Sequence, residues 1–207
     1  MNVAVFASGR GSNFQAILQA IRQGQIPAQV CVVVGDNPTA GAFELARNNA
    51  IPTIHLNPRQ FPSAQAYSSR LIEALSHHNA DVIALAGYLK RIPDEVVRRF
   101  RNKILNVHPA LLPAFGGKGM YGIHVHETVI AAGVKVSGAT VHLVNEEYDR
   151  GPILLQKAVE VQPDDTPETL AARVLKVEHE IYPLALKAFA EGRVRIDGNR
   201  AWILHHA

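Results

Sequence analysis

Cysteine is almost absent from this chain: its 207 residues hold one, Cys31, inside the apolar run Val30-Cys31-Val32-Val33-Val34. A single thiol can build neither an intrachain disulfide framework nor a cysteine metal site, which fits a reducing compartment. Its apolar neighbours make Cys31 read as a small buried hydrophobe. Long hydrophobic runs are missing too, and none approaches the ~20 residues that span a bilayer. The opening Met1-Asn2-Val3-Ala4-Val5-Phe6 carries no basic leader and soon meets Gly9, so it predicts a strand and not a signal peptide. These absences set a cytoplasmic protein as the expectation.

Charge of one sign is scarce as well. Charged residues make up 19% of the chain and the formal net charge is +3 with ten His neutral. The densest basic cluster, Arg98-Arg99-Phe100-Arg101 with Lys103, reads as a solvated helix end, not a tracker of phosphate backbones. No nucleic-acid or membrane partner is expected; local basicity would serve small anions. Repeats, low-complexity tracts and Pro/Gly/Ser linkers are also missing. With 47% hydrophobic residues, the chain can bury a sizeable core as one domain or a pair of half-domains.

What is present is an alternation of short β-branched runs and amphipathic stretches. Strands are expected at Val3–Ala7, Val30–Gly35, Thr53–Leu56, Val82–Leu85 and Ile104–Val107, with helices at about Asn13–Arg22, Ala40–Asn49, Ser63–His77 and Asp94–Arg101. That rhythm predicts βαβ units and an α/β, Rossmann-like, doubly wound, mostly parallel sheet. After His108-Pro109 it changes. A loop, Ala110–Ile123, holds Gly116, Gly117, Gly119 and Gly122, and a helix near Val125–Ala132 follows. Longer strands at Lys135–Val144 and Ile153–Val161 then suggest a mixed-sheet half, closed by a helix over Thr166–Glu191 with an imperfect capping box at Thr166. Loops longer than ~12 residues in compact domains tend to be functional, so Ala110–Ile123 is a candidate wall or lid.

Ser8-Gly9-Arg10-Gly11-Ser12-Asn13 joins the first strand to the first helix. Glycines permit a tight turn and close approach to a ligand, and the free N–H groups of a helix start favour an anion. Asn13 reads as the N-cap, and Ser12 offers a hydroxyl to a phosphate oxygen. A dinucleotide fingerprint fits less well, because Phe14 occupies the third glycine position and Asp36 falls in a Gly35-Asp36-Asn37-Pro38 turn.

The stretch Ile104-Leu105-Asn106-Val107-His108-Pro109 is the most informative. Alternation along a strand puts Asn106 and His108 on one side, and Pro109 ends the ladder at the carboxyl end, where open α/β sheets bind ligands. An amide donor beside an imidazole suits acyl transfer: both can hydrogen-bond a developing oxyanion, and the imidazole can handle a proton. A strand-end pair that only satisfies backbone groups is the competing reading. Asp149 lies in a turn closed by Gly151-Pro152, and His142 in an apolar strand. His124-Val125-His126 lacks the further ligands of a metal site, so none is expected. His77-His78 read as a helix end, and His205-His206 as tail.

Together these segments resemble the glycinamide ribonucleotide formyltransferase family of purine biosynthesis. The likeness runs through Ser8–Asn13, Leu85-Ala86-Gly87-Tyr88-Leu89-Lys90, Leu105–Pro113, Gly138-Ala139-Thr140-Val141-His142, Asp149–Gln156 and Glu178-His179-Glu180-Ile181-Tyr182-Pro183. The resemblance implies one formyltransferase domain over 1–207, with a phosphate-binding half of about 1–109 and a catalytic and folate half of about 110–207. It implies 10-formyltetrahydrofolate as co-substrate and no metal. By the same likeness Gly11, Ser12 and Asn13 would hold the ribonucleotide phosphate, and Glu178 the glycinamide end. Leu89, Lys90, Arg91 and Ile92 would line the folate site, with Asn106 polarising the formyl oxygen. His108 would be the catalytic acid, held charged by Asp149. Ala64 and Leu175 stand where relatives often carry a basic residue; Arg59 is the neighbouring candidate for the folate's anionic tail. Methionyl-tRNA formyltransferases and formyltetrahydrofolate deformylases share the Asn/His/Asp core but carry an additional domain, for which this length is not expected to leave room. A formyltransferase for sugar nucleotides and a non-catalytic nucleotide- or folate-binding module are the other readings. Nothing in the sequence chooses between monomer and homodimer.

Overall fold

The computed structural model describes residues 1–204; His205, His206 and Ala207 lie outside the described residues. In chain order the elements are β1 (Asn2–Phe6), α1 (Ser12–Arg22), β2 (Gln29–Gly35), α2 (Gly41–Asn48), β3 (Thr53–His55), a 3₁₀ turn (Pro58–Gln60), α3 (Ala64–His77), β4 (Val82–Leu85), α4 (Asp94–Arg99), β5 (Ile104–His108), α5 (Ile123–Ala131), β6 (Val136–Leu143), β7 (Ile153–Glu160), α6 (Pro167–Ala190), β8 (Val194–Asp197) and β9 (Arg200–Ile203). The larger sheet has the strand order β3-β2-β1-β4-β5-β6-β7. The expected α/β class with a mostly parallel sheet is what forms. Two compact units divide between Leu105 and Asn106, within β5.

In the first unit β1 pairs in parallel with β2 and β4, and β2 with β3. Strands covered on both faces by helices need apolar side chains at every position, and Val3 to Ala7 and Val32 to Val34 are fully buried. Cys31 departs from expectation: it is half-buried at the outer end of β2, with burial pushing its thiol pKa up to about 11. α1 buries Phe14, Ile17 and Leu18, the spacing of one helical face. Arg98, Arg99, Arg101 and Lys103 are exposed at and beyond the end of α4, as a solvated helix end requires.

The start of α1 corrects one expectation. Gly11, not Asn13, is the N-cap, at φ 83, and Asn13 lies inside the helix and is buried. Conformation and space both select glycine here, since a Cβ at Gly11 would lie 2.9 Å from Ala42 Cα.

In the second unit β6 and β7 run antiparallel, from Val136 opposite Glu160 to His142 opposite Ile153. α6 packs against β6, β7 and α5, burying Leu170, Val174, Val177, Ile181 and Ala185 along one stripe. Its capping box is complete: Thr166 accepts from the Thr169 N–H and the Thr169 hydroxyl accepts from the Thr166 N–H, so threonine takes the place of the usual Glu or Gln. The β8–β9 hairpin was not anticipated. Its strands are four residues each around Gly198, and only the first alternates apolar with charged side chains, too short a pattern to stand out. Among the described residues no helix is long and apolar enough to cross a membrane.

The β6–β7 pair sets a sharp packing test. A Cβ at Gly138 would overlap the Lys157 carbonyl oxygen across the ladder and press on Leu111. Gly138→Ala is expected to cost about 2 kcal/mol of stability. In a thermal melt that is a midpoint lower by about 4–8 °C.

Candidate active site

β5 delivers Asn106 and His108 to one side of its end, and the second unit builds a polar cluster around them. His108 is 3% exposed. Its Nε2 lies 2.8 Å from the Phe115 carbonyl oxygen; a carbonyl only accepts, so Nε2 carries the proton. Nδ1 stands 3.7 Å from Asp149 Oδ2, and that oxygen also accepts the Gly117 N–H at 2.8 Å. The other carboxylate oxygen, Oδ1, is 3.6 Å from His142 Nε2. His142 Nδ1 donates to the Leu143 carbonyl at 2.9 Å, so in the neutral ring Nε2 is free to accept from Asn106 Nδ2 at 3.1 Å. Asn106, His108 and Asp149 are thus brought together, with His142 as a fourth member.

The backbone around the cluster is specialised. Asp149 and Phe115 are held at φ 54 and φ 53, a region that L side chains rarely occupy. Gly116 gives Asp149 room, since a Cβ there would lie 3.2 Å from the Asp149 Cβ and press harder on Leu112. Behind the chain that leaves His108, the fully buried Thr140 donates to the Ala110 carbonyl at 2.6 Å and accepts from the Leu112 N–H at 3.0 Å. Gln156 Nε2 reaches the Leu112 carbonyl at 2.9 Å. His142, Thr140 and Gln156 lie in segments that carry the family likeness but were given no role from the sequence, although Thr140 and His142 show the same i, i+2 polar spacing in β6 that singled out Asn106 and His108 in β5.

Glu178 is buried on α6, while His124 is exposed and pairs with Glu127 at 2.8 Å, one helical turn on. Among the described residues no group of three or more His, Cys, Asp or Glu is placed to hold a metal ion.

The first unit holds the other predicted residues. Gly9 and Arg10 are exposed, ahead of Gly11 and Ser12 at the start of α1. Asp36 proves more than a turn residue: Oδ1 accepts the Ser8 hydroxyl at 2.5 Å and Oδ2 pairs with Lys90 Nζ at 3.3 Å. Both carboxylate oxygens are therefore engaged within the chain, and Phe14, at the third glycine position, is fully buried. Leu89 is 54% exposed, Arg91 pairs with Asp94 at 2.6 Å, and Ile92 is buried. Ala64 begins α3 behind the Ser63 cap, with Arg59 exposed on the preceding 3₁₀ turn.

This chain matches the sequence profile of the formyl transferases over residues 1–186. It belongs to the formyl transferase family. A chloroplastic phosphoribosylglycinamide formyltransferase of Arabidopsis thaliana is 47% identical over 93% of this chain and 66% of its own. The phosphoribosylglycinamide formyltransferase of Bacillus subtilis (strain 168) is 42% identical over 89% of this chain and 92% of its own. The crystal structure of glycinamide ribonucleotide transformylase 1 from Symbiobacterium toebii superposes with a TM-score of 0.93 at 42% identity, covering 99% of this chain and 94% of that one. The chain spans just under two thirds of the length of the plant relatives it matches.

The electrostatics of this formyl transferase cluster correct one expectation. Burial is the strongest influence on His108 and lowers its pKa; Asp149 and the Phe115 carbonyl raise it, His142 lowers it, and burial prevails. Burial thus disfavours the charged form of His108, against the expectation that Asp149 holds it charged. Burial also pushes the Asp149 carboxyl up, but the His142 contact, the attraction of His108 and the Gly117 N–H together bring it below the usual carboxylate value. Both shifts act on stability in one direction. An unfolded chain protonates a histidine at about pH 6.5 and an aspartate near about pH 4, before the folded one does, so acid favours unfolding. NMR titration is expected to place the His108 midpoint below about 6.5, and lower again in Asp149→Asn, where the favourable charge is gone. A midpoint that stays put or rises in the variant would uncouple Asp149 from His108.

Proposed function

We propose that this chain transfers the formyl group of 10-formyltetrahydrofolate to the amine of glycinamide ribonucleotide, giving formylglycinamide ribonucleotide and tetrahydrofolate. The observation that carries the proposal is the Asn106/His108/Asp149 cluster, with His108 buried at its centre, in a chain of this family. Relatives of nearly equal length bear the corresponding name. The 1–109 segment serves as the phosphate-binding part of one formyltransferase domain, and 110–207 as the catalytic and folate part. Gly11, Ser12 and Asn13 hold the phosphate, Glu178 the glycinamide end, and Leu89, Lys90, Arg91 and Ile92 line the folate site with Asn106. The substrates are small molecules, needing no nucleic acid or membrane, and the reducing cytoplasm suits the free Cys31.

In this mechanism the amine nitrogen attacks the formyl carbon, and the carbonyl oxygen takes up negative charge. Asn106 Nδ2 and His108 Nε2–H donate to that oxyanion; His108 exchanges its Phe115 partner for the substrate. Collapse breaks the bond from the formyl carbon to the folate nitrogen. The amine gives up a proton and the folate nitrogen takes one, with Asp149 and water as carriers. Holding both substrates in register supplies the proximity term.

The test is to follow tetrahydrofolate formation with and without glycinamide ribonucleotide. Turnover is expected only with the acceptor; equal folate consumption without it would make the chain a deformylase. Asn106→Ala is expected to cut kcat by ~10²–10³ with a small change in acceptor KM, because its bond strengthens as the oxyanion forms. Ser12→Ala is expected to do the reverse, raising acceptor KM with kcat nearly intact, and an unchanged KM would remove Ser12 from the phosphate site.

A further inference from the structure

The first unit contains a polar network that the proposed reaction does not use. Ser8 is 9% exposed and its hydroxyl is engaged as both donor and acceptor: it donates to Asp36 Oδ1 at 2.5 Å and accepts the Leu89 N–H at 2.9 Å. The Ser8 N–H donates to the Gly87 carbonyl at 3.1 Å. Lys90 Nζ closes the figure on Asp36 Oδ2 at 3.3 Å. Asp36 is itself anchored, because its carbonyl accepts from His55 Nε2 at 3.2 Å and from Asn57 Nδ2 at 3.3 Å. Its side chain is only 10% exposed.

The order of donors matters. A serine hydroxyl has one proton, and a carboxylate can only accept. With that proton committed to Asp36, the Ser8 oxygen can only present a lone pair to the Leu89 N–H. The carboxylate thus dictates which way the hydroxyl faces and so how the chain turns after Gly87, whose φ of 74 suits an abrupt bend. Tyr88 faces inward, edge-on to Phe6 at 5.2 Å and bonded to the Tyr67 hydroxyl at 2.8 Å, which leaves Leu89 outward. The strut begins on the residue that precedes Gly9 and ends on the segment proposed to meet the folate.

We propose that Asp36 is a positioning residue: through Ser8 and Lys90 it fixes the backbone of residues 87–90 in the conformation that receives the formyl donor. For its enzymic readout this rests on the function proposed above; for its structural readout it does not. The test has two arms. In the first, amide hydrogen exchange is measured at Leu89. Asp36→Ala and Ser8→Ala are expected to speed exchange there about tenfold or more, while Ile83 and Ala86, whose N–H groups bond backbone carbonyls, stay as in the wild type. Unchanged exchange at Leu89 in Asp36→Ala overturns the strut. In the second, steady-state kinetics should show donor KM raised about five- to tenfold by Asp36→Ala with kcat within about twofold. Asp36→Asn keeps an acceptor for Ser8 and loses the ammonium, so it should match Lys90→Met, with a smaller effect than Asp36→Ala. A fall in kcat at unchanged donor KM, or full activity in Asp36→Ala, overturns the positioning role. If the wild type transfers no formyl group, the proposed function falls while the exchange arm still decides the strut.

Discussion

The second unit is organised by the need to keep one buried carboxylate charged. Taking Asp149 out of water is unfavourable unless hydrogen bonds and opposite charge replace its hydration. The hydrogen bond to it comes from the Gly117 N–H of the 110–122 loop, while His108 from the end of β5 and His142 from the end of β6 stand 3.7 and 3.6 Å away and favour the carboxylate when they carry a proton toward it. Small residues make room around it. Gly116 lies against the aspartate itself, and Gly151, two residues on, has its Cα so close to the Leu143 carbonyl that any side chain would overlap it. Gly116 is thus a packing requirement of Asp149.

The sheet was legible in the sequence because parallel strands covered on both faces are written as unbroken apolar runs, a signal that polar exceptions do not obscure. Asn106 and His108 were legible for the opposite reason, as polar residues where such a run should have stayed apolar. The same logic applies to Thr140 and His142 in β6, but Gly138 and the flanking valines make that strand look like ordinary core, and their polarity passes for buried satisfaction. Asp149 could be named but not placed: its reach to two imidazoles depends on a left-handed φ and on contacts 32 to 41 residues away in sequence, between Gly117, His108 and itself. Asp36 was discounted because aspartate is common in turns, and turn preference says nothing about where the carboxylate points. Asn13 was assigned the cap because asparagine is a good one; the close approach of α2 to Gly11, a tertiary constraint, decided otherwise.

Two polar devices with the same physics therefore serve the two units. Asp36 and Asp149 each place both oxygens against neighbours; Asp36 sets the orientation of the Ser8 hydroxyl, and the His108 ring beside Asp149 is oriented by its Nε2–H bond to the Phe115 carbonyl. They differ in burial of their partners. Lys90 is partly exposed, so its pair with Asp36 is screened and serves geometry more than stability. His108 and His142 are buried, and there the low local dielectric makes every charge consequential.

That consequence bears on how the proposed reaction would run. With Asp149 ionised and His108 neutral, the pair carries one negative charge. An attacking amine becomes a cation as the formyl oxygen becomes an anion, so the reacting pair adds no net charge but separates it. A charged His108 would stabilise the oxyanion yet cancel Asp149 and weaken its pull on the ammonium. A neutral His108 still donates through Nε2–H, alongside Asn106, and leaves the carboxylate at full strength for the amine's proton. Burial, by pushing the imidazole pKa down and outweighing the carboxylate beside it, favours this second division of labour: two neutral donors for the oxygen and one anion for the nitrogen.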